Sequence, residues 1–424
     1  MDQVVQASAS HEKYMGTALV AIGDEVLFDK AYGSADLEWG IANTTDTKFR
    51  IGSVTKQFTA ASILMLQERG ALDLDQPVGT YLADTPESWA GVTLRHLLNH
   101  TSGIPNVTSL EDFGTWKYLP TTREEIIARF SDLPLEFAPG EKFAYSNSGF
   151  LLLTAVIEDV SGQPYAEFVT ENIFAPLGMT NTAIDVTSAI VPRRADGYSP
   201  SKTGIVNADY VDMGIPQGAG ALYSTTTDLV KWQRGLYGGD VLKPESLAEM
   251  TRPAIEAVHN SSAAMGLFVL EGEDGTLIWH GGGIEGFNAW LGYDPDREIS
   301  VVVLANLNGG AANEIGMHLT TLARGGDVTL AQERTEIDTS GINLAEYTGT
   351  YTVTENFKIA FREEDGQLVT QATGQDAFPV FASGPDRFFL KVVDAQLAFN
   401  RNSDGRIVSV TLTQNGQEIV ANRE

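Results

Sequence analysis

In the stretch FRIGSVTKQFTAASILML, residues 49–66, a serine and a lysine stand three positions apart where an apolar helical pattern begins. One helical turn carries about 3.6 residues, so Ser53 and Lys56 share a face and their side chains can meet. A serine at a helix start sits in the field of unpaired N–H groups, which favours negative charge. A lysine packed beside it away from water has its pKa pushed down and can accept a proton. The pair therefore reads as a nucleophile and its base, although a capping serine followed by a solvated lysine produces the same spacing.

Two further stretches carry chemistry. In APGEKFAYSNSGF, Tyr145 and Asn147 precede an apolar helix. A phenol near an ammonium can relay a proton, and an amide two residues on can hold a carbonyl or orient the lysine; Ser146 or Asn147 as a simple helix cap is the structural alternative. In LIWHGGGIEGFN, Gly281, Gly283 and Gly286 satisfy G-x-G-x-x-G, but the following FNAWLGY alternates like a strand, whereas a dinucleotide fingerprint must open a helix. Glycines beside an edge strand instead let a ligand approach the backbone. His280 is then a donor to that ligand or a packed histidine, and Glu285 either meets a substrate ammonium or pairs with an arginine at the surface. His96 and His100 are spaced i,i+4, but Leu97 stands where a zinc-protease helix needs glutamate, so both read as structural. No G-x-S-x-G nucleophile elbow occurs.

These residues must be positioned by a mixed fold. Residues 17–33 read as two strands about a Gly-Asp turn. A helix follows, with Val54, Phe58, Ala61 and Met65 on one buried face and its end near Gly70. Residues 71–260 are helical and loop-rich. Strands return at TLIWH, FNAWLGY and ISVVVLANL, and one more helix is expected within 311–324. The fold class is therefore α+β: an antiparallel sheet built from both ends of this region, flanked by helices, with a helical insertion between them. A polar linker, RGGDVTLAQERTEIDTSGIN, leads to residues 344–424, where short alternating segments and regular turns predict an all-β barrel. Two domains are expected, 1–330 and 340–424.

Composition excludes several classes. The 424 residues carry 28 basic and 56 acidic side chains, a formal charge of −28, which argues against a nucleic-acid partner. The absence of cysteine removes disulfides, thiolate metal sites and cysteine nucleophiles. Apolar runs are shorter than the roughly 18–20 residues that span a bilayer. The first residues lack a signal-peptide pattern, which leaves a cytoplasmic protein or a periplasmic or secreted one whose leader has been removed.

Taken together and in order, Ser53-x-x-Lys56, Tyr145-x-Asn147 and His280-x-Gly282 resemble the motifs of the serine β-lactamase and penicillin-binding protein superfamily, in its class C β-lactamase-like branch. LRHLLNHTSGIP, PLGMTNT and GAGALYSTTTDLVKW resemble its signature segments as well. The resemblance covers about residues 10–325 and implies acyl transfer without metal or cofactor. Ser53 is then the nucleophile, Lys56 and Tyr145 the general base and acid in an order left open, and Asn147, His280 and Gly282 the substrate-binding residues. The N–H groups of Ser53 and Gly283 would form the oxyanion hole. His280 stands where class C β-lactamases carry lysine, and a mostly neutral imidazole in place of a permanent cation directs expectation away from antibiotics. Small esters come first, then peptide-type amides of D-amino acids, with slow-turnover penicillin binding as the alternative. Family members of the H-x-G type also append a lipocalin-like barrel, which residues 340–424 resemble. A homo-oligomer is left open.

Overall fold

The computed structural model describes residues 1–10, 12–201, 203–328, 336–339, 341–354, 357–373, 377–391, 395–414 and 417–424. Much of the expected linker, including 329–335 and 340, lies outside the described residues. The chain separates into two compact units, Met1–Val328 and Thr329–Glu424.

The first unit opens with a helix that the sequence reading did not anticipate, α1 (Asp2–Ala9), with Val4 and Val5 buried. Strands β1 (Gly16–Ile22) and β2 (Glu25–Tyr32) follow, and late in the unit come β3 (Phe268–Gly272), β4 (Gly275–Ile284), β5 (Phe287–Asp294) and β6 (Ile299–Ala305). They form one antiparallel sheet in the order β3-β4-β5-β6-β1-β2, extended beyond β3 by two short strands at 262–263 and 255–256. The first strand thus joins the last, with Leu19 opposite Val302. Both strands are almost wholly buried, which is why they read as unbroken apolar runs. Ala18, Val20, Val301 and Val303 face the core that holds Val5 of α1 and Ile315 and Leu319 of the last helix of this unit. Their neighbours Leu19, Ala21, Val302 and Leu304 face the larger helical core.

That core is built around α2 (Thr55–Glu68) and α3 (Asn147–Ser161), joined by α4 (Gln217–Gly220) and α5 (Thr226–Gly238); α6 (Ala311–Ala323) packs on the opposite face of the sheet. The expectation of a single buried face for α2 is corrected. Every residue from Thr55 to Leu66 is buried, because the helix lies between the sheet and the helical insertion. It ends as expected, with Gly70 in the left-handed region at φ +71°.

The second unit is a closed eight-stranded antiparallel barrel: β7 (Gly349–Thr354), β8 (Phe357–Glu364), β9 (Gln367–Ala372), β10 (Phe378–Gly384), β11 (Arg387–Leu390), β12 (Ala395–Arg401), β13 (Ile407–Gln414) and β14 (Gln417–Arg423), with β14 pairing back to β7. Tyr347, Tyr351, Phe361, Phe388 and Phe399 meet edge to face in its core, so side chains fill this interior.

Candidate active site

Ser53 lies in a 3₁₀ turn, Gly52–Val54, that delivers the chain into α2. Gly52 has φ +49°, a conformation that disfavours any side chain, and a Cβ there would come within 2.7 Å of the Gly283 nitrogen. A Cβ on Gly282 would overlap the Ile51 carbonyl oxygen. The glycines of β4 therefore admit the chain's own segment 51–53. Nor is β4 an edge strand, as the sequence reading held: it is interior, but its pairing with β3 ends at Trp279, so His280 to Ile284 have β5 alone as sheet partner. In that opening the nucleophile's turn is seated.

Lys56 is fully buried one turn into α2. Its Nζ lies 3.1 Å from Ser53 Oγ, 2.8 Å from Asn147 Oδ1 and 2.7 Å from the carbonyl oxygen of Ala219 in α4. The Tyr145 ring faces the same nitrogen at 4.9 Å, and its hydroxyl hydrogen-bonds Ser53, whose side chain is partly exposed. Ser53, Tyr145 and Asn147, three of the sequence-derived residues, thus gather around a fourth, Lys56, although their chain positions span nearly a hundred residues. Gly282 and Gly283 lie against the same turn. His280 is buried near them, 6.2 Å from Tyr145 between ring centres.

Burial governs the electrostatics. It holds the Lys56 ammonium well below its ordinary pKa, and it raises the Tyr145 phenol, with the Ser53 hydrogen bond working the other way. His280 is pushed down to about 3, by burial first and the Lys56 charge second, so it is neutral. His100 is lowered for the same reasons, with His280 adding to them.

Some assignments need correction. Neither Ser146 nor Asn147 caps α3 with its side chain. Ser146 Oγ donates to the Ile104 carbonyl, while the Asn147 amide is taken by Lys56 and by Thr108 Oγ1 at 3.0 Å. Glu285 pairs with Lys117 at 3.0 Å rather than with an arginine, and Asp209 approaches the same lysine at 3.4 Å. His96 closes a capping box with Thr93. His100 stacks on Tyr145 at 4.3 Å and its Nδ1 accepts from the Ser146 N–H, so both histidines are accounted for structurally.

Sequence reasoning missed the residues that hold these four in place. Asn106 Oδ1 accepts from the Asn147 N–H, Thr108 fixes its amide, and the Ala144 N–H donates to the His100 carbonyl. Ala219 contributes only a backbone carbonyl, which no side-chain pattern announces. The signal available was in two segments noted only for their resemblance or not at all, HTSGIPNVTS and GAGAL, which contain His100, Asn106, Thr108 and Ala219.

A serine, a tyrosine and an asparagine gathered around a buried lysine, with a glycine strand against the serine's turn, are the arrangement of the serine β-lactamase and penicillin-binding protein class. The chain belongs to the β-lactamase family, whose model matches residues 1–323, and residues 333–423 match a domain of unknown function, DUF3471. It is a serine hydrolase of that family. It is 28% identical to Penicillin-binding protein 4* of Bacillus subtilis (strain 168), over 96% of this chain and 94% of that one. The octameric penicillin-binding protein homologue from Pyrococcus abyssi superposes with a TM-score of 0.70 at 26% identity, covering 99% of this chain and 98% of the other. The D-amino acid amidase from Ochrobactrum anthropi SV3, complexed with L-phenylalanine amide, gives a TM-score of 0.65 at 26% identity over 76% of this chain and 99% of its own. Among the described residues no helix is long and apolar enough to cross a membrane.

Proposed function

We propose that the protein hydrolyses small carboxylic esters, and more slowly peptide-type amides, through an acyl-enzyme on Ser53, in the class C-like branch of the family. The observation that carries this reading is the environment of Lys56. A neutral amine has two N–H bonds and one lone pair; the Asn147 and Ala219 oxygens can only accept, so they take the two N–H groups. The lone pair is left for the Ser53 hydroxyl, which donates to it. The opposite pKa directions of the two candidates divide the work: Lys56 takes the first proton, and Tyr145, kept protonated, hands one to the leaving group. The Ser53 and Gly283 N–H groups receive the developing oxyanion, and losing such a donor costs about 10²–10³ in rate. The Lys56 ammonium then returns its proton to the Tyr145 phenolate, which restores both groups. Lys56 next deprotonates water for attack on the acyl carbonyl, and that proton passes to the Ser53 oxygen as the acid leaves. Asn147 keeps one amide hydrogen for the substrate carbonyl.

A neutral, buried His280 offers no permanent cation to a substrate carboxylate, which favours neutral esters over β-lactams. A D-amino-acid amide is the second reading. Asp209 and Glu285 share the single Lys117, leaving one unbalanced negative charge close to the glycine strand for a substrate ammonium, and the D-amino acid amidase from Ochrobactrum anthropi SV3 shares this fold. On the precedent of the octameric relative, a homo-oligomer is proposed, to be checked by sedimentation. The domain limits proposed for expression are 1–330 and 340–424.

The test is intact mass spectrometry of wild type and Ser53→Ala with a p-nitrophenyl acyl ester, followed alongside nitrophenol release. Turnover with a trapped adduct in the wild type, both absent from the variant, supports the reading. Hydrolysis surviving in Ser53→Ala sinks it, and a stable adduct without turnover transfers support to a penicillin-binding role.

A further inference from the structure

The carbonyl of Ala219 is one of the two acceptors that aim the Lys56 lone pair, yet it belongs to a helix of only four residues. Its position depends on the peptide just before it. Both polar groups of Gly218 are bonded to threonine hydroxyls: its carbonyl accepts from Thr59 Oγ1 at 2.7 Å, and its N–H donates to Thr154 Oγ1 at 3.2 Å.

Acceptor counting fixes the direction of each bond. Thr59 spends its one hydroxyl hydrogen on the Gly218 carbonyl, so at 2.7 Å it must accept from the Tyr165 hydroxyl. Thr154 spends its hydrogen on the Phe150 carbonyl at 2.7 Å, leaving its oxygen for the Gly218 N–H. The chain runs from Tyr165 through Thr59 to the Gly218 carbonyl, and from the Gly218 N–H through Thr154 to the backbone of α3. Thr59, Thr154 and Tyr165 are all buried. Burial raises the Tyr165 phenol and keeps it a donor. Glycine is required between the two hydroxyls: a Cβ on Gly218 would overlap Thr154 Oγ1 and come within 2.7 Å of Thr59 Oγ1.

We infer that Thr59 and Thr154 are positioning residues, a two-sided clamp on the backbone of Gly218, across the two peptides that flank it, that sets the Ala219 carbonyl and through it the direction of the Lys56 lone pair. Neither touches Ser53 or substrate in this arrangement. Thr59 lies one turn beyond Lys56 on α2, and Thr154 lies two turns beyond Asn147 on α3, so the clamp locks α4 to both helices that supply the reacting groups. The inference rests on Lys56 acting as the base.

The experiment labels Ser53 of the full chain with a fluorophosphonate, read as adduct mass against time, so that no knowledge of the natural acyl group is needed. Thr154→Val and Thr59→Val keep shape and remove the hydroxyl, while Thr154→Ser and Thr59→Ser keep the hydroxyl; thermal melts accompany each. The expected result is labelling slowed by about 10- to 100-fold in each valine variant, with each serine variant within about threefold of wild type. Valine variants that label at the wild-type rate overturn the clamp. So do serine and valine variants that slow equally, in step with their melting temperatures, since packing would then explain the loss. Wild type that takes no adduct at Ser53 fails at the earlier step and removes the nucleophile assignment along with the clamp.

Discussion

Replacing Gly52 by alanine separates the geometry of the nucleophile's turn from the general cost of an unusual backbone. Gly52 sits at φ +49°, and an alanine there pays about 1–2 kcal/mol for the left-handed conformation. Its Cβ would also lie 2.7 Å from the Gly283 nitrogen and 2.8 Å from the Gly283 oxygen, so turn and strand must part by about 0.7 Å to reach ordinary contact at 3.4 Å. That movement falls directly on the two N–H groups proposed to bind the oxyanion. With misplacements of about 1 Å costing up to about 10²-fold, kcat/KM for a p-nitrophenyl ester should fall by about 10- to 100-fold. Gly70→Ala is the matched control. Its φ is +71°, but nothing lies within 4 Å of the added Cβ. It should show only the backbone part of the stability loss, about 1–2 kcal/mol, in a denaturant melt, and unchanged kcat/KM. If Gly52→Ala keeps kcat/KM within threefold of Gly70→Ala, the close approach of turn and strand does not shape the oxyanion site, and that part of the reasoning is wrong.

Three further outcomes follow from the same contacts. His280 is neutral in the folded chain down to about pH 3 but takes up a proton near 6.5 once unfolded. Its contribution to stability is therefore intact above pH 6.5 and falls by up to about 1.4 kcal/mol per pH unit below it, so His280→Gln should lose less stability than wild type in melts between pH 6.5 and 4. Glu285→Gln leaves Lys117 with the exposed Asp209 alone; kcat/KM for an ammonium-bearing amide should drop about five- to tenfold relative to a neutral ester, and equal losses on both would count against charge recognition. Asp185, whose carboxylate is fully buried between Arg50 and Arg194, should cost about 3–5 kcal/mol on conversion to Asn, measured by chemical denaturation.

What could be read from the sequence were features that announce themselves locally. The strands β1 and β6 are buried on both faces and so appear as apolar runs, and the pairing of the first region's two ends into one sheet followed from their order. The barrel strands alternate, which gave the second architecture. Reading the site depended on three short motifs joined by resemblance, and the structure gathers Ser53, Tyr145 and Asn147 around Lys56. Distant partners were not legible. The first N–H of α3 is satisfied by Asn106 and not by a local cap, Glu285 meets a lysine from far earlier in the chain, and the second acceptor on Lys56 is a main-chain carbonyl. The all-round burial of α2 was missed because periodicity reports a polar face only when solvent is there; Gln57 instead accepts from the Trp232 indole inside the core.

The pairing of β1 with β6 has a consequence for the newborn chain. Leu19 and Val302 meet across the sheet although about 280 residues separate them, so at ribosomal speeds of about 5–20 residues per second β1 waits roughly 15 to 60 seconds for its neighbour. During that interval Ser53 and Lys56 have been made, but Tyr145, Asn147 and Ala219 around the lysine, and Gly283 beside the serine's turn, follow only in stages. An amine still bathed in water stays protonated and cannot activate the hydroxyl. The close approach of the nucleophile's turn to Gly283 is thus assembled late, when the last strands close the sheet.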